Sequence, residues 1–438
     1  MGTTKFEEFL SKVTSKVKSK EAHSMIKNEL TNHLQELSQS FQKREFSKED
    51  AQEKAIQEMG NPFTIGEKLN QLHKPRMDWA LIFLFAIMAS FSFLLLGGEV
   101  VDVSLSASYY MGRQAIWYIL AVLVIIGFLF FDYRKLKNWW MYFYGGGLLL
   151  HFYIGVFGIE VNGAQRWISL GGITLDGTAI TLFLFFLAWT GIFNRINEFN
   201  SLIKQVLLFL LFWIPIFLFM TIPHFMVSII YFFSVIAMFT FSHVQKKLAI
   251  KLAIPNILMG IIIIGIVITN SISGELSDRL LGFINPEADP QGAGYLYIAI
   301  HNAISQAGWF GNNSNDIDFL GAPHTDFAFP YLVYSLGWIV GIALCLILLI
   351  FIARIAKNAF KTRDHYGRLL VIGSAALVAV PACWNILMCF GIVPIMEVSL
   401  PFISYGGTML LINSALLGLT LSVYRRKDIV EAARVTFE

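Results

Sequence analysis

Residues 79–97 read WALIFLFAIMASFSFLLLG, a run without a single charged side chain. A helix that is apolar on every face is either buried in a large core or spans a membrane. At about 1.5 Å per residue this one is long enough for the roughly 30 Å of bilayer hydrocarbon. Similar runs lie near 115–131, 139–158, 178–193, 204–222, 225–242, 252–269, 326–353, 369–390 and 403–424, so the sequence predicts ten transmembrane helices. Composition agrees: of 438 residues, 56% are hydrophobic, 15% aromatic and 14% charged, whereas soluble chains carry about 25% charged residues. The expected fold class is an all-α polytopic membrane protein. Two or three soluble domains, which the length alone would allow, are excluded.

What precedes the first run differs in kind. Residues 1–78 hold 13 of the 33 Lys and Arg and 12 of the 30 Asp and Glu. Phe6, Phe9, Leu10, Val13 and Val17 recur at three- and four-residue steps, and Met25, Ile26, Leu30, Leu34 and Leu37 repeat the pattern, each set marking a helix with one buried stripe. Ser47 with Asp50 three residues on opens a third helix, and Gly60-Asn61-Pro62 closes it. About three helices around a small core are expected, forming a cytoplasmic domain over 1–78, because no signal sequence precedes the first apolar run. With that prefix inside, the inner segments that follow carry 17 Lys and Arg, and the outer ones only Arg113, Arg166 and Arg279. This is the positive-inside asymmetry. It places the membrane domain at 79–426, a cytoplasmic tail at 427–438, and both termini in the cytoplasm. The basic residues are scattered without aromatic interleaving, so no nucleic-acid partner is expected. Cys345, Cys383 and Cys389 sit in apolar runs without paired spacing, which supports neither a disulfide framework nor a zinc site.

Chemistry on the outer side belongs to the loops. The longest, 270–325, is rich in Gly and Asn and sets Glu275, Asp278, Glu287, Asp289, Asp316 and Asp318 against Arg279 alone. A structureless loop of that length is usually functional. Four outer segments stand out: NGAQRW at 162–167, DPQGAGY at 289–295, HTDFAF at 324–329 and LPFISYGG at 400–407. In this order and at these positions they resemble the SEDS family (shape, elongation, division and sporulation), whose members include RodA, FtsW and SpoVE. The family pattern runs approximately NGARRW, DPxGxGY, HTDFxF and LPFxSYGG on a ten-span body. The resemblance covers about 79–426. The prefix lies outside it and is similar, more loosely, to the helical prefix ahead of some bacterial permease-like proteins.

The resemblance implies a glycosyltransferase that polymerises lipid II into peptidoglycan at the outer face of the bacterial cytoplasmic membrane, with a class B penicillin-binding transpeptidase as partner. Such a transfer needs a base for the acceptor hydroxyl proton and cations for the departing pyrophosphate. Asp289 matches the family's catalytic aspartate and is assigned as general base; by residue type alone it reads as an ordinary loop Asp before Pro. The same motif puts Gly292, Gly294 and Tyr295 among the substrate-binding residues. Arg166 is the candidate phosphate cation through its bidentate fork, or an interfacial anchor beside Trp167. His324, Thr325 and Asp326 face substrate, unless Thr325 or Asp326 caps the eighth span. Ser404 and Tyr405 contact ligand, or serve close packing with Gly406 and Gly407. A divalent cation could bridge the pyrophosphate to Asp289, although no ligand cluster marks a metal site.

Three departures keep other readings beside the enzyme. The family's QPSE and following Lys are replaced by Asp176-Gly177-Thr178-Ala179 and Leu182. Its two Glu before Leu-Gly are replaced by Tyr334-Ser335, and the Gln-Ser after DPxGxGY by Ala299-Ile300. Intramembrane charges are usually functional, so their loss favours a non-catalytic scaffold or sensor of lipid-linked precursors. A precursor flippase is the third reading, and it would call for a charged path that these spans lack.

Overall fold

The computed structural model describes residues 2–97, 107–161, 163–222, 224–269, 275–312 and 323–428. Asn162, Asp316, Asp318, Gly321, Ala322 and the end of the tail lie outside them, as do the side chains of Glu275, Asp278 and Arg279. The chain divides into two compact units. One is Met1–Asp78 with Lys361–Asp364 and the chain from Val423 onward; the other is Trp79–Phe360 with His365–Ser422.

The first unit contains α1 (Gly2–Ser15), α2 (Lys20–Gln42), α3 (Lys48–Met59) and α4 (Pro62–Leu72). Phe6, Phe9, Leu10, Val13 and Val17 are buried together with Ile26 and Leu34, so the periodic stripes form its core. Ser47 caps α3, its Oγ accepting from the Asp50 amide at 3.2 Å. Four helices stand where three were expected. Gly60-Asn61-Pro62 ends α3 and starts another: Asn61 Oδ1 accepts from the Phe63 amide at 2.9 Å, and Pro62 takes the first helical position. Proline costs nothing there because that amide has no partner within the helix. The unit also takes in the C-terminal turn of the last span. Arg426 is fully buried and donates from Nε to Glu21 Oε2 at 2.6 Å and from Nη2 to Oε1 at 2.9 Å.

The second unit carries a helix in each of the ten predicted runs. These are α5 (Trp79–Leu96), α6 (Ala107–Phe130), α7 (Trp140–Phe157), α8 (Gly177–Asn194), α9 (Leu202–Thr221), α10 (Phe225–Thr240) and α11 (Lys246–Thr269). After the long loop, which holds α12 (Glu275–Ile284) and α13 (Tyr295–Gln306), come α14 (Ala328–Leu336), α15 (Trp338–Lys361), α16 (His365–Cys389) and α17 (Gly407–Arg426). Among the described residues, seven helices are long and apolar enough to cross a membrane by themselves, and α10 is apolar but only 16 residues long. This is a multi-pass membrane protein.

Hydropathy and burial run in opposite directions. The most apolar stretch of α15, at mean hydropathy 2.9, is 28% buried, whereas those of α8 and α17, at 1.5, are 78% and 72% buried. Lipid tails solvate Leu and Ile as well as a protein core does, so the apolar surface faces out and the small and polar residues gather at the centre. Thr178, Thr181, Asn385, Ser414 and Thr420 are all buried there.

Four features depart from the expectation. The loop 270–325 is not structureless, since it holds two helices. The eighth run is broken at Gly337 (φ +92), where a Cβ would stand 2.3 Å from the Trp309 carbonyl oxygen; Gly337 with Gly341 is thus a joint as well as a packing pair. Tyr231, in an aromatic run that its apolar setting would turn towards lipid, is buried and accepts a hydrogen bond from Trp189 Nε1 at 2.6 Å. Finally, among the described residues a small antiparallel sheet sits between helices, in the order β1 (Ile159–Val161), β2 (Ala164–Leu170), β3 (Ile173–Asp176). Gly171 and Gly172, with φ of +57 and +87, make its tight β2–β3 turn, where both central residues need positive φ.

Candidate functional site

The sheet decides where Arg166 goes. Trp167 on β2 pairs with Asp176 on β3, and β3 runs directly into α8, so this hairpin and the start of α8 wall one side of a cavity of about 510 Å³. Arg113 of α6, His224 before α10, Thr325 and Asp326 before α14, and Glu397, Ser404 and Tyr405 before α17 contribute to its polar lining.

Arg166 donates from Nη1 to Glu397 Oε2 at 2.6 Å, and its guanidinium carbon lies 5.3 Å from the centroid of the Trp167 ring. Its side chain is 15% exposed and that of Glu397 40%. The cation is therefore nearly enclosed while its partner stays wet, so an incoming anion can compete for the guanidinium. The Arg166 Nε is buried without a hydrogen-bond partner among the described residues.

The third and fourth motifs are stitched together through backbone groups. Tyr405 donates its amide to the His324 carbonyl at 2.8 Å, and Ser404 Oγ donates to the Thr325 carbonyl at 2.5 Å while accepting from the Leu400 amide at 2.8 Å. Asn385 Nδ2 donates to the carbonyls of Asp326 and Val398 at 2.8 and 2.6 Å. The N-cap position of α14 is Phe327, one residue past Asp326, and the Phe327 side chain makes no cap bond. The Tyr405 ring packs against those of His324, at 5.7 Å, and Tyr110, at 5.2 Å. The Ser404 hydroxyl is thus engaged by backbone groups, and Ser404, Thr325, Asp326 and Tyr405 all stand at the cavity wall.

Behind Arg166 lies a polar chain that the sequence reading passed over. Asp176 is the N-cap of α8; its Oδ1 accepts from the amides of Thr178 at 2.9 Å and Ala179 at 3.3 Å and from Thr178 Oγ1 at 2.6 Å. Thr178 Oγ1 in turn lies 3.0 Å from His224 Nδ1. Burial holds the His224 imidazole below its ordinary pKa; Asp176 opposes this, Arg166 adds to it and Glu397 opposes it. Glu397, Asp176 and His224 were missed because nothing in residue type or spacing marks them. The one available signal was an acidic residue opening a span just after the motif arginine.

Asp289, Gly292, Gly294 and Tyr295 are not part of this lining. They form a turn between α12 and α13, where Asp289 is exposed and accepts from the Gly292 amide through Oδ1 and the Ala293 amide through Oδ2, both at 3.0 Å. A Cβ on Gly292 would stand 2.0 Å from Asp289 Oδ2, and one on Gly294 1.9 Å from the Pro286 carbonyl oxygen. Both glycines therefore serve to shape the turn around the carboxylate. The predicted site residues fall into two groups: Arg166, Thr325, Asp326, Ser404 and Tyr405 around the cavity with His324 beside them, and the Asp289 turn apart from it. Among the described residues no three His, Cys, Asp or Glu side chains gather closely enough to hold a metal ion.

The chain has relatives. A protein of Trichlorobacter lovleyi named as a probable peptidoglycan glycosyltransferase FtsW is 34% identical over 149 residues, 33% of this chain and 39% of that one. The peptidoglycan glycosyltransferase MrdB of Escherichia coli is 27% identical over 303 residues, 68% of this chain and 80% of its own. A solved peptidoglycan synthase complex that coordinates polymerization and crosslinking contains a chain with the same fold, at TM-score 0.67 and 24% identity, covering 80% of this chain and 98% of that one. Residues 75–429 match the family of cell cycle proteins that comprises FtsW, RodA and SpoVE, and with that extent of the chain matched, the protein belongs to this family.

Proposed function

We propose that this protein is a peptidoglycan glycosyltransferase that polymerises lipid II at the outer face of the bacterial cytoplasmic membrane, with both of its termini in the cytoplasm. The observation that carries the reading is the meeting of three motif segments, at Arg166, Thr325-Asp326 and Ser404-Tyr405, around one cavity that also holds a cation able to exchange its carboxylate for a phosphate. Arg166 takes the pyrophosphate through its planar fork, and Glu397 is displaced towards water.

In the transfer, the acceptor hydroxyl oxygen forms the new bond to the donor's anomeric carbon, and the bond from that carbon to the pyrophosphate oxygen breaks. The electron pair leaves with the lipid pyrophosphate and the hydroxyl proton goes to a base. Asp289 is that base in this reading. Its carboxylate is exposed, its orientation is fixed by two backbone amides, and each oxygen keeps a further lone pair for substrate. The partner is a class B penicillin-binding transpeptidase, which would crosslink the strands made here.

The test is to incubate the purified protein with lipid II, alone and with such a transpeptidase, and to look for glycan strands. Strands support the polymerase. Lipid II binding without strands under either condition replaces it with the scaffold reading, which the absent Glu and Lys of the family pattern favour. Movement of lipid II across vesicles without strands replaces it with the flippase.

A further inference from the structure

The Asp176–Thr178–His224 chain has no part in the transfer just described, yet it ends on a ring nitrogen at the wall of the cavity. Thr178 has one hydroxyl proton to give and two neighbours to give it to. Its Oγ1 lies 2.6 Å from Asp176 Oδ1 and 3.0 Å from His224 Nδ1. Three donors converge on Asp176 Oδ1, and a carboxylate so solvated accepts and does not donate. The hydroxyl proton therefore belongs to the Asp176 contact, and the proton between Thr178 and the ring is the ring's own Nδ1–H. That fixes the tautomer: Nε2 carries the lone pair.

A buried carboxylate and hydroxyl that orient a neutral imidazole are a costly arrangement to keep behind a surface that binds nothing, since each group had to be desolvated. Arg166, which stands in the same cavity, supplies only donors, as does Arg113. Asp176 has its Oδ1 engaged by the start of α8. The wall thus pairs a cationic fork, suited to phosphate, with an uncharged acceptor, suited to a hydroxyl group of the sugar that the phosphate carries.

We infer that His224 is a substrate-binding residue whose Nε2 accepts a hydrogen bond from a sugar hydroxyl of the lipid-linked substrate while Arg166 holds its pyrophosphate. The inference rests on the glycosyltransferase reading and adds to it a residue that fixes how the sugar enters the cavity. It also gives binding a pH dependence. A protonated ring donates from both nitrogens and loses the acceptor. The charged and titratable groups that line the cavity with it are Asp176 from β3, Arg166 from β2, Glu397 and Tyr405 from the segment before α17, Arg113 from α6 and Asp326 from the turn before α14; Asp176, Arg166 and Glu397 act on the ring directly. Burial keeps the ring neutral at neutral pH against the pull of Asp176 and Glu397.

The experiment measures lipid II affinity and polymerisation by the full chain in lipid nanodiscs, from about pH 8 to about pH 5, with melting recorded for each variant. His224→Leu is expected to weaken lipid II binding about fivefold at neutral pH, the worth of one uncharged hydrogen bond, with melting at that pH unchanged. His224→Gln places an amide where Nε2 stood; it is expected to bind within about twofold of the unaltered chain at neutral pH and to lose the fall in affinity on acidification that the unaltered chain shows. Thr178→Val, which frees the tautomer, should act like His224→Leu in weaker form. Unchanged affinity in His224→Leu, or an acid limb that survives in His224→Gln, overturns the inference. The second arm decides the matter if the leucine variant does not fold. Failure of the unaltered chain to bind lipid II overturns the glycosyltransferase reading and this inference with it, whereas binding that ignores His224 overturns the inference alone.

Discussion

Arg426, wholly buried, and Glu21, separated from it by 405 positions, form a two-toothed ion pair with contacts of 2.6 and 2.9 Å. Glu21→Ala takes the carboxylate away from a guanidinium that has no access to water. Breaking a closed buried pair costs about 3–5 kcal/mol; because the Glu21 side chain is 35% exposed, about 2 kcal/mol is the expected loss after solvent screening. Thermal unfolding of the purified chain should show it, and replacing Arg426 by Met in the same background should recover most of it. Equal melting of Glu21→Ala and the unaltered chain would contradict this account of the unit's stability.

Asp289→Asn preserves shape and removes the base. Strand synthesis should fall by about a hundredfold or more, the usual share of general base catalysis, while lipid II binding is retained. Full activity in this variant rules Asp289 out as the base.

Gly292→Ala tests the same carboxylate through its surroundings. A methyl group would stand 2.0 Å from Asp289 Oδ2, so the carboxylate must turn away. A displacement near 1 Å costs roughly a hundredfold in rate. The expected outcome is low polymerisation with normal membrane insertion and normal lipid II affinity, read from strand length and binding side by side. Activity equal to that of the unaltered chain would mean that the turn does not set the base.

Arg166 and Glu397 should move lipid II affinity in opposite directions. Arg166→Lys keeps a charge and loses the fork, and binding should weaken about tenfold, close to 1.4 kcal/mol. Glu397→Gln removes the carboxylate that competes for the guanidinium at 2.6 Å and should tighten it. If Arg166 serves instead as an interfacial anchor beside Trp167, neither change alters affinity.

His224 also bears on stability. Its pKa is lowered on folding from an unperturbed 6.5, so the unfolded chain takes up a proton first as pH falls. The stabilising contribution is complete above about pH 6.5 and is lost as pH drops through the folded value. Melting temperatures measured across that range should decline on the acid side, less so in His224→Gln than in the unaltered chain.

Most of the helical framework could be read from the chain, because a membrane span and a one-sided stripe are local patterns: every predicted apolar run carries a helix, and Phe6, Phe9, Leu10, Val13 and Val17 are buried as their spacing required. The misses are contacts between distant positions or signals too short to have a period. Strands of three, seven and four residues at 159–176 offer no alternation long enough to recognise. The break at Gly337 answers to the Trp309 carbonyl, which no neighbour of Gly337 in sequence predicts. Arg166 was found from its motif, but Glu397 lies 231 positions away, and its role exists only once the hairpin and the segment before α17 meet. His224 was invisible for the same reason, since its meaning comes from Thr178.

The clasp between Glu21 and Arg426 has a consequence for the order in which the protein can be made. A ribosome adding about 5–20 residues per second needs roughly 20 to 80 seconds to travel from one partner to the other. Throughout that interval α2 exists without the guanidinium that its carboxylate holds in the finished protein. The helices of this unit therefore leave the ribosome well before their ion pair can form, and the pair closes only when α17 has been synthesised. A chain released before α17, or one that misplaces it, leaves Glu21 without this partner, which makes the pair a structural record of whether the end of α17 has joined the N-terminal helices.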